Sequence, residues 1–281
     1  MASPDDYGAW VGRESFDEDI VAAGPVARMA ATLDRDDPAP RDGDLLPLPW
    51  HWTLFLASPR ASLLSPDGRG AEGDLLPPFT GLARMWAGGA FHVTRPLRVG
   101  ERAFRRSRVA AIERKEGRSG PLVFATVEHR IADEAGEALV EALRIVFRRP
   151  VPYAGADQGM APPATARWRR VAVPDPVMLF RFSALTFNAH RIHYDRCYAV
   201  DHEGYPDILV HGPLTATLLL DLARREGGGR AIATVDYRAV RPLYVDRPMA
   251  LCGAPRNGSA AVLWAEDDLG RVAMTADVTF A

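Results

Sequence analysis

The sequence predicts an α+β protein built from two related units, each a central helix wrapped by a curved antiparallel sheet. Three observations carry this expectation. Residues 213–229, PLTATLLLDLARREGGG, form the strongest helical pattern in the chain, and short strand-like runs follow it. Residues 91–149 alternate apolar and charged side chains with period two, and Gly100, Gly120 and Gly136 mark the turns. The two halves also repeat the same order of elements. A helix held in a strongly bent antiparallel sheet is an α+β layer architecture.

Taken in order, residues 17–33 read as two short helical pieces, with Asp17 as a cap for the first and Pro25 opening the second. Residues 34–44, DRDDPAPRDGD, are loop-forming. PLPWHWTLFLA (47–57) reads as a short buried helix, and 58–90 as a long excursion with little regular structure that ends in RMWAGGA. Four strands follow, at 91–99, 102–117, 121–134 and 137–149. Residues 150–164 are rich in Pro, Gly and Ala, which suggests a linker. The expected domains are therefore 1–150 and 151–281. The second half opens with a strand and its approach, RWRRVAVPDPVMLFRFSALT, then a polar segment. The 213–229 helix has Pro213 in its first turn, Arg224 and Arg225 at its C-terminus and Gly227 as its stop. Strands resume at 233–245, 248–255, 260–268 and 271–281.

The repeat is visible in particular words. TRPLRVGER (94–102) parallels VRPLYVDRP (240–248), and ADEAGEALVEALRIVF parallels EDDLGRVAMTADVTF. Upstream, AATLDRDDPAP takes the place of SALTFNAHRIH, and PWHWTLFLA that of HGPLTATLLLDLA.

Composition narrows the function. With 47% hydrophobic residues and a net charge of −2, the chain belongs among soluble globular proteins, without the basic excess that nucleic acid or an acidic membrane would call for. Length allows one large domain or two of roughly 130 residues each. Cys197 and Cys252 make no CxxC and no disulfide framework, so a reducing, cytoplasmic setting is expected. MASPDDYGAW is acidic and lacks the apolar core of a signal peptide. No apolar run approaches the roughly 20 residues that span a bilayer.

Chemistry concentrates in residues 182–212, which hold His190, His193, His202 and His211, four of the seven histidines. His193 is the natural general acid/base, because imidazole titrates near neutrality. Asn188 cannot take a proton, but its amide can hold a water or hydroxyl. His211-Gly212 immediately precedes the strong helix, whose free N–H groups suit a developing negative oxygen, and Gly212 admits a ligand close to the backbone. His190 is as readily structural as a site residue. Arg191 could meet an acidic substrate tail or make a surface ion pair. His202, between Asp201 and Glu203, reads as solvated. HxxH at 190–193 invites a zinc reading, but no histidine pair has i,i+4 helical spacing and no cysteine pair exists, so no metal is expected. These parts suit proton chemistry α to a thioester carbonyl: hydration of a 2-enoyl thioester or dehydration of a 3-hydroxyacyl thioester.

FSALTFNAHRIHYD followed by HGPLTATLLLDL resembles the hydroxyacyl-thioester dehydratase type 2 and mesaconyl-C4-CoA hydratase group of the MaoC-like hotdog hydratases. LPLPWHWTLFL, RMWAGG and RPLRVGE resemble the FAS1-like dehydratase domain of the same group. The resemblance implies a tandem hotdog fold, a catalytic second half and a first half that is non-catalytic and helps to form the acyl tunnel. It also implies a hydro-lyase, with the mesaconyl-C4 and itaconyl thioesters of coenzyme A foremost and a general 3-hydroxyacyl dehydratase next. No cofactor is expected beyond the CoA of the substrate. The wider family carries Asp where this chain has Asn188, five residues before the His, so His193 should carry more of the proton transfer. Two rivals are a hotdog thioesterase, which would typically need a carboxylate to activate water, and a non-catalytic acyl-thioester-binding module. Acyl-CoA is the expected partner, nucleic acid and membrane are not, and a homodimer is left open.

Overall fold

A computed structural model describes residues 7–70, 75–79, 81–117, 120–149 and 160–281. Its strands form a single ten-stranded sheet in the order β1-β3-β4-β5-β2-β7-β10-β9-β8-β6, and every pairing is antiparallel. The first five strands are β1 (Glu14–Ile20), β2 (Ala83–Val93), β3 (Arg102–Gly117), β4 (Gly120–Asp133) and β5 (Gly136–Arg148). The others are β6 (Trp168–Ala172), β7 (Ile232–Ala239), β8 (Met249–Pro255), β9 (Ala260–Glu266) and β10 (Val272–Phe280). First-half strands lie on one side of the β2–β7 seam and second-half strands on the other. The expected boundary at 150–151 lies outside the described residues.

The helices are α1 (Ala23–Thr32), α2 (Pro176–Leu185) and α3 (Gly212–Glu226). Leu214 through Ala223 of α3 are all buried, so this helix is enclosed on every side, as its Leu-rich sequence requires. It packs against β8, β9, β10, β6 and β7. The counterpart in the first half is only a short 3₁₀ turn, Trp50–Thr53, rather than the expected helix. Trp50 and Trp52 in four residues, after Pro47 and Pro49, leave little to propagate a regular helix. The long strands β3, β4 and β5 therefore have no full helix against them comparable to α3.

Three further expectations change. Residues 14–20 form an edge strand, not the start of a helix, because the acidic side chains meet an arginine-rich neighbour. Glu14 pairs with Arg106 at 2.6 Å, Asp17 with Arg105 at 2.8 Å, and Glu18 with Arg102. Such cross-strand ion pairs favour pairing. Residues 83–93 form β2, and RPLRV beyond it runs as a connection instead of a strand. Gly88 and Gly89 serve the seam: a Cβ on either would strike Tyr237 of β7. Residues 176–185 form α2, whose Asp175 cap accepts from the Met178 N–H at 2.7 Å ahead of Pro176.

The repeat holds at the level of backbone. Asp34 and Phe187, which correspond in the aligned words, both have positive φ, 51° and 48°. The N–H groups of Thr94 and Arg95 share the Ala138 carbonyl, and those of Val240 and Arg241 share Ala273. Arg95 pairs with Asp133, and Arg241 with Asp267 at 3.5 Å. Among the described residues no helix is long and apolar enough to cross a membrane.

The halves are also bolted through a buried charge. Asp221 of α3, with a side chain only 5% exposed, pairs with Arg35, Arg170, Arg224 and Arg225. Arg35 comes from the first half and is itself 8% exposed. Removing one partner of a buried pair strands the other charge. Asp221→Asn should therefore lower unfolding stability by roughly 3 kcal/mol in urea titrations; no shift in the denaturation midpoint would show that Arg35 finds full compensation in Asp37.

Candidate active site

The polar segment is positioned from both ends. It leaves α2 through Phe187, whose left-handed φ turns the chain, and the Asn188 N–H returns to the Ser183 carbonyl at 2.9 Å. The Asn188 Oδ1 then accepts from the His190 N–H at 3.0 Å, an Asx-type turn. This leaves the side-chain NH₂ of Asn188 as its remaining donor. A 3₁₀ turn, Arg191–His193, follows. At the other end the Leu209 N–H donates to the Ile192 carbonyl at 3.0 Å.

His193 is fixed by that second attachment. Its Nδ1 lies 2.9 Å from the Leu209 carbonyl, which can only accept, so Nδ1 carries the proton and Nε2 keeps its lone pair. The His211 ring stacks on it at 3.8 Å, and the His190 ring stands perpendicular at 5.5 Å. Desolvation in this packing pushes His193 down to about 4, although the bond to Leu209 acts in the opposite direction. His190 is pushed down to about 3, first by burial and then by the neighbouring His193 and arginines. His211 is held well below its ordinary value by burial. All three rings are thus neutral at physiological pH.

Gly212 opens α3. The first intrahelical bond runs from the Thr215 N–H to the His211 carbonyl at 3.1 Å, and Pro213 carries no N–H. The Gly212 and Leu214 amides precede that bond, at the positive end of the helix. A side chain at 212 would put its Cβ 2.5 Å from the Trp86 ring. Trp86 belongs to β2 and stacks on Tyr237 of β7, with centroids 5.0 Å apart.

Asn188, His190, His193 and Gly212 line one cleft of about 2370 Å³. It runs from the head of α3 onto the face of the first-half sheet that lacks a full helix, past Leu122, Phe124 and Leu143. Two sequence candidates lie elsewhere. Arg191 does not line the cleft: it bonds Asp195 at 2.7 Å and the Pro66 carbonyl at 3.0 Å, and it stacks over Tyr198. His211 sits behind His193, with its Nε2 2.8 Å from the Ser183 hydroxyl and its Nδ1 buried without a hydrogen-bond partner among the described residues. Among the described residues no cluster of three or more His, Cys, Asp or Glu is placed to hold a metal ion.

The first half contributes polar groups that sequence reasoning did not find. Glu141 of β5 accepts from Trp52 Nε1 at 3.0 Å and lies 3.1 Å from His51 Nε2. Burial alone would raise its carboxyl, but these donors and the nearby His129 hold it below its ordinary value. His129 is pushed down to about 4 by burial. Arg69 also lines the cleft. Nothing in the spacing could reveal these groups, because His51 and Glu141 are 90 residues apart.

The model of the hydroxyacyl-thioester dehydratase type 2 family matches residues 49–245. The chain belongs to this family. It is an acyl-thioester hydratase/dehydratase, as its site words imply. The chain is 42% identical to mesaconyl-C(4)-CoA hydratase of Chloroflexus aurantiacus over 97% of both chains. Among solved structures, a MaoC-like dehydratase superposes with a TM-score of 0.73 at 16% identity, covering 99% of this chain and all of that one. HtdX of Mycobacterium tuberculosis gives 0.68 at 20% identity, covering 96% of this chain and all of that one. These likenesses establish the tandem hotdog architecture.

The histidine shifts have a consequence for stability. An unfolded histidine titrates near 6.5, whereas His129, His190 and His193 stay neutral in the fold to about 4, 3 and 4. Between those values the unfolded chain binds more protons, so stability falls as pH drops below 6.5 and the loss saturates near the folded values. Urea midpoints measured from pH 7 to 4.5 should decline steadily, and His129→Gln should flatten part of the slope. A midpoint independent of pH over that range would contradict the desolvated, neutral state of these rings.

Proposed function

We propose that the chain adds water to a 2-enoyl thioester of coenzyme A that carries a free carboxylate, with mesaconyl-C4-CoA as the leading substrate and itaconyl-CoA close to it. One observation carries the site reading: the His193 Nε2, left unprotonated by the bond to Leu209, shares a cleft with the free N-terminus of α3 at Gly212. The 42% identical relative supports the choice of acyl group.

The chemistry follows from these positions. A water held between the Asn188 NH₂ and His193 Nε2 gives its proton to Nε2 as its oxygen attacks the β-carbon. Electrons move onto the thioester oxygen, and the Gly212 N–H and the helix dipole stabilise the enolate. The imidazolium then returns a proton to the α-carbon. The net change is one water added; dehydration is the reverse. CoA enters as part of the substrate, and the step uses no other cofactor. Arginines along the cleft, Arg84, Arg148 and Arg238 among them, favour a polyanionic thioester. The reading needs no nucleic acid, membrane or second copy of the chain. A general 3-hydroxyacyl dehydratase is the second reading, because the cleft, at about 2370 Å³, is far larger than a five-carbon acyl group needs.

Loss of enoyl-thioester absorbance tests this directly, and release of free thiol from the same substrates would favour a thioesterase. His193→Ala should cost at least about 10²-fold in kcat with the fold intact. With His193 as base, kcat/KM for hydration should hold across neutral pH and fall as pH drops through about 4. Asn188→Asp keeps an oxygen for the His190 N–H but adds a negative charge, which favours the imidazolium. Its acid limb should move to higher pH. An unmoved limb would separate the two residues.

A further inference from the structure

We propose that Arg69, delivered from the first half, is the anchor for the free carboxylate of the acyl group. This rests on the hydratase reading. In a mesaconyl-C4 thioester the carboxylate sits on the β-carbon, the atom that receives water. Its partner must therefore lie beside His193 and Asn188 and not at the far end of the cleft.

Of the cations in the segment and cleft, several are already committed. Arg191 is held by Asp195 and the Pro66 carbonyl, Arg105 by Asp17 at 2.8 Å, and Arg241 by Asp267 at 3.5 Å. Arg69 differs. Its Nε and Nη2 both bond Asp67 Oδ2 at 2.6 Å, which fixes the guanidinium plane. Asp67 is itself held by the Ser65 hydroxyl and by the Arg69 N–H at 3.0 Å. The loop is clamped to the polar segment, since the Arg191 N–H donates to the Asp67 carbonyl at 2.8 Å. His190 Nε2 lies 3.8 Å from Asp67 Oδ2, so the Arg69 guanidinium is one carboxylate away from the histidine cluster. The remaining nitrogen, Nη1, is buried and has no hydrogen-bond partner among the described residues, and Arg69 lines the cleft. A buried donor without a partner is costly, and an oxyanion would satisfy it with a charge-assisted bond. Only arginine can hold Asp67 with one edge and present a donor from the other. The Asp67 charge offsets that of Arg69, so the subsite selects by direction rather than by raw charge.

The test compares mesaconyl-C4-CoA with but-2-enoyl-CoA, which lacks the carboxylate, in the full chain and in Arg69→Gln and Arg69→Lys. The readout is the ratio of kcat/KM, carboxylated over uncarboxylated. It should exceed one in the parent chain and fall roughly ten- to hundredfold in both variants. Lysine should fail too, because its single ammonium stays on Asp67. An unchanged ratio overturns the proposal. So does an equal loss on both substrates, which would mean that Arg69 supports the loop or the CoA moiety. As an independent measurement, succinyl-CoA should inhibit the parent chain more tightly than butyryl-CoA, and no difference overturns the proposal without any variant. A parent chain that hydrates neither substrate defeats the hydratase reading itself, a different failure from an unmoved ratio.

Discussion

The site is referred to one contact, the Trp86 ring against the backbone of Gly212. Trp86 is a first-half residue and Gly212 heads the second-half helix, so the contact exists only because β2 pairs with β7. Gly88 and Gly89 let Tyr237 cross β2 closely, Tyr237 stacks on Trp86, and the Trp86 ring packs beside Gly212 at the head of α3. A side chain at any of the three glycines would push this stack apart. The helix N-terminus that can receive a thioester oxygen is thereby set by the junction of the halves and not by either half alone.

The same junction explains why the halves diverged. One concave face is filled by α3, which supplies the helix terminus; the other lacks a full helix and becomes the cleft. Arg35 occupies the place that Asn188 holds in the second half, and it has turned away to pair with Asp221. Pro40 stands where His193 does. At these positions the first half has neither an Asn nor a His, and it lines the cleft and braces α3 instead.

Much of this was readable from sequence where a local signal matched the tertiary outcome. The helix at 213–229, strands β3 to β10 in outline, the repeat and the polar segment all carried their own periodicity or words. The failures share a cause: the deciding partner was far away in the chain. Residues 17–20 look helical until the arginines of β3 are beside them. RMWAGGA reads as a loop until β7 explains its glycines. Arg191 looked like the site cation because it neighbours His193, yet it serves the loop, and the arginines that line the cleft, Arg69 among them, come from elsewhere in the chain. The Asp175-Pro176 start of α2 was different: a local signal was present and was overridden by the apolar run behind it.

The replacement of the family's Asp by Asn188 also becomes intelligible. An acidic partner for a histidine base normally orients the ring, fixes its tautomer and stabilises the imidazolium. Here the Leu209 carbonyl does the first two, through Nδ1 at 2.9 Å, and the stacked His211 ring restricts the ring plane. Only stabilisation of the charge is missing, and the desolvated, neutral surroundings keep His193 weakly basic as a result. A carboxylate at 188 would bring a negative charge beside this histidine cluster and draw protons onto it. With Asn188 the three rings stay uncharged, and the carboxylate nearest His190, that of Asp67, is itself paired with Arg69. That electrostatic balance accords with the carboxylated substrate proposed above.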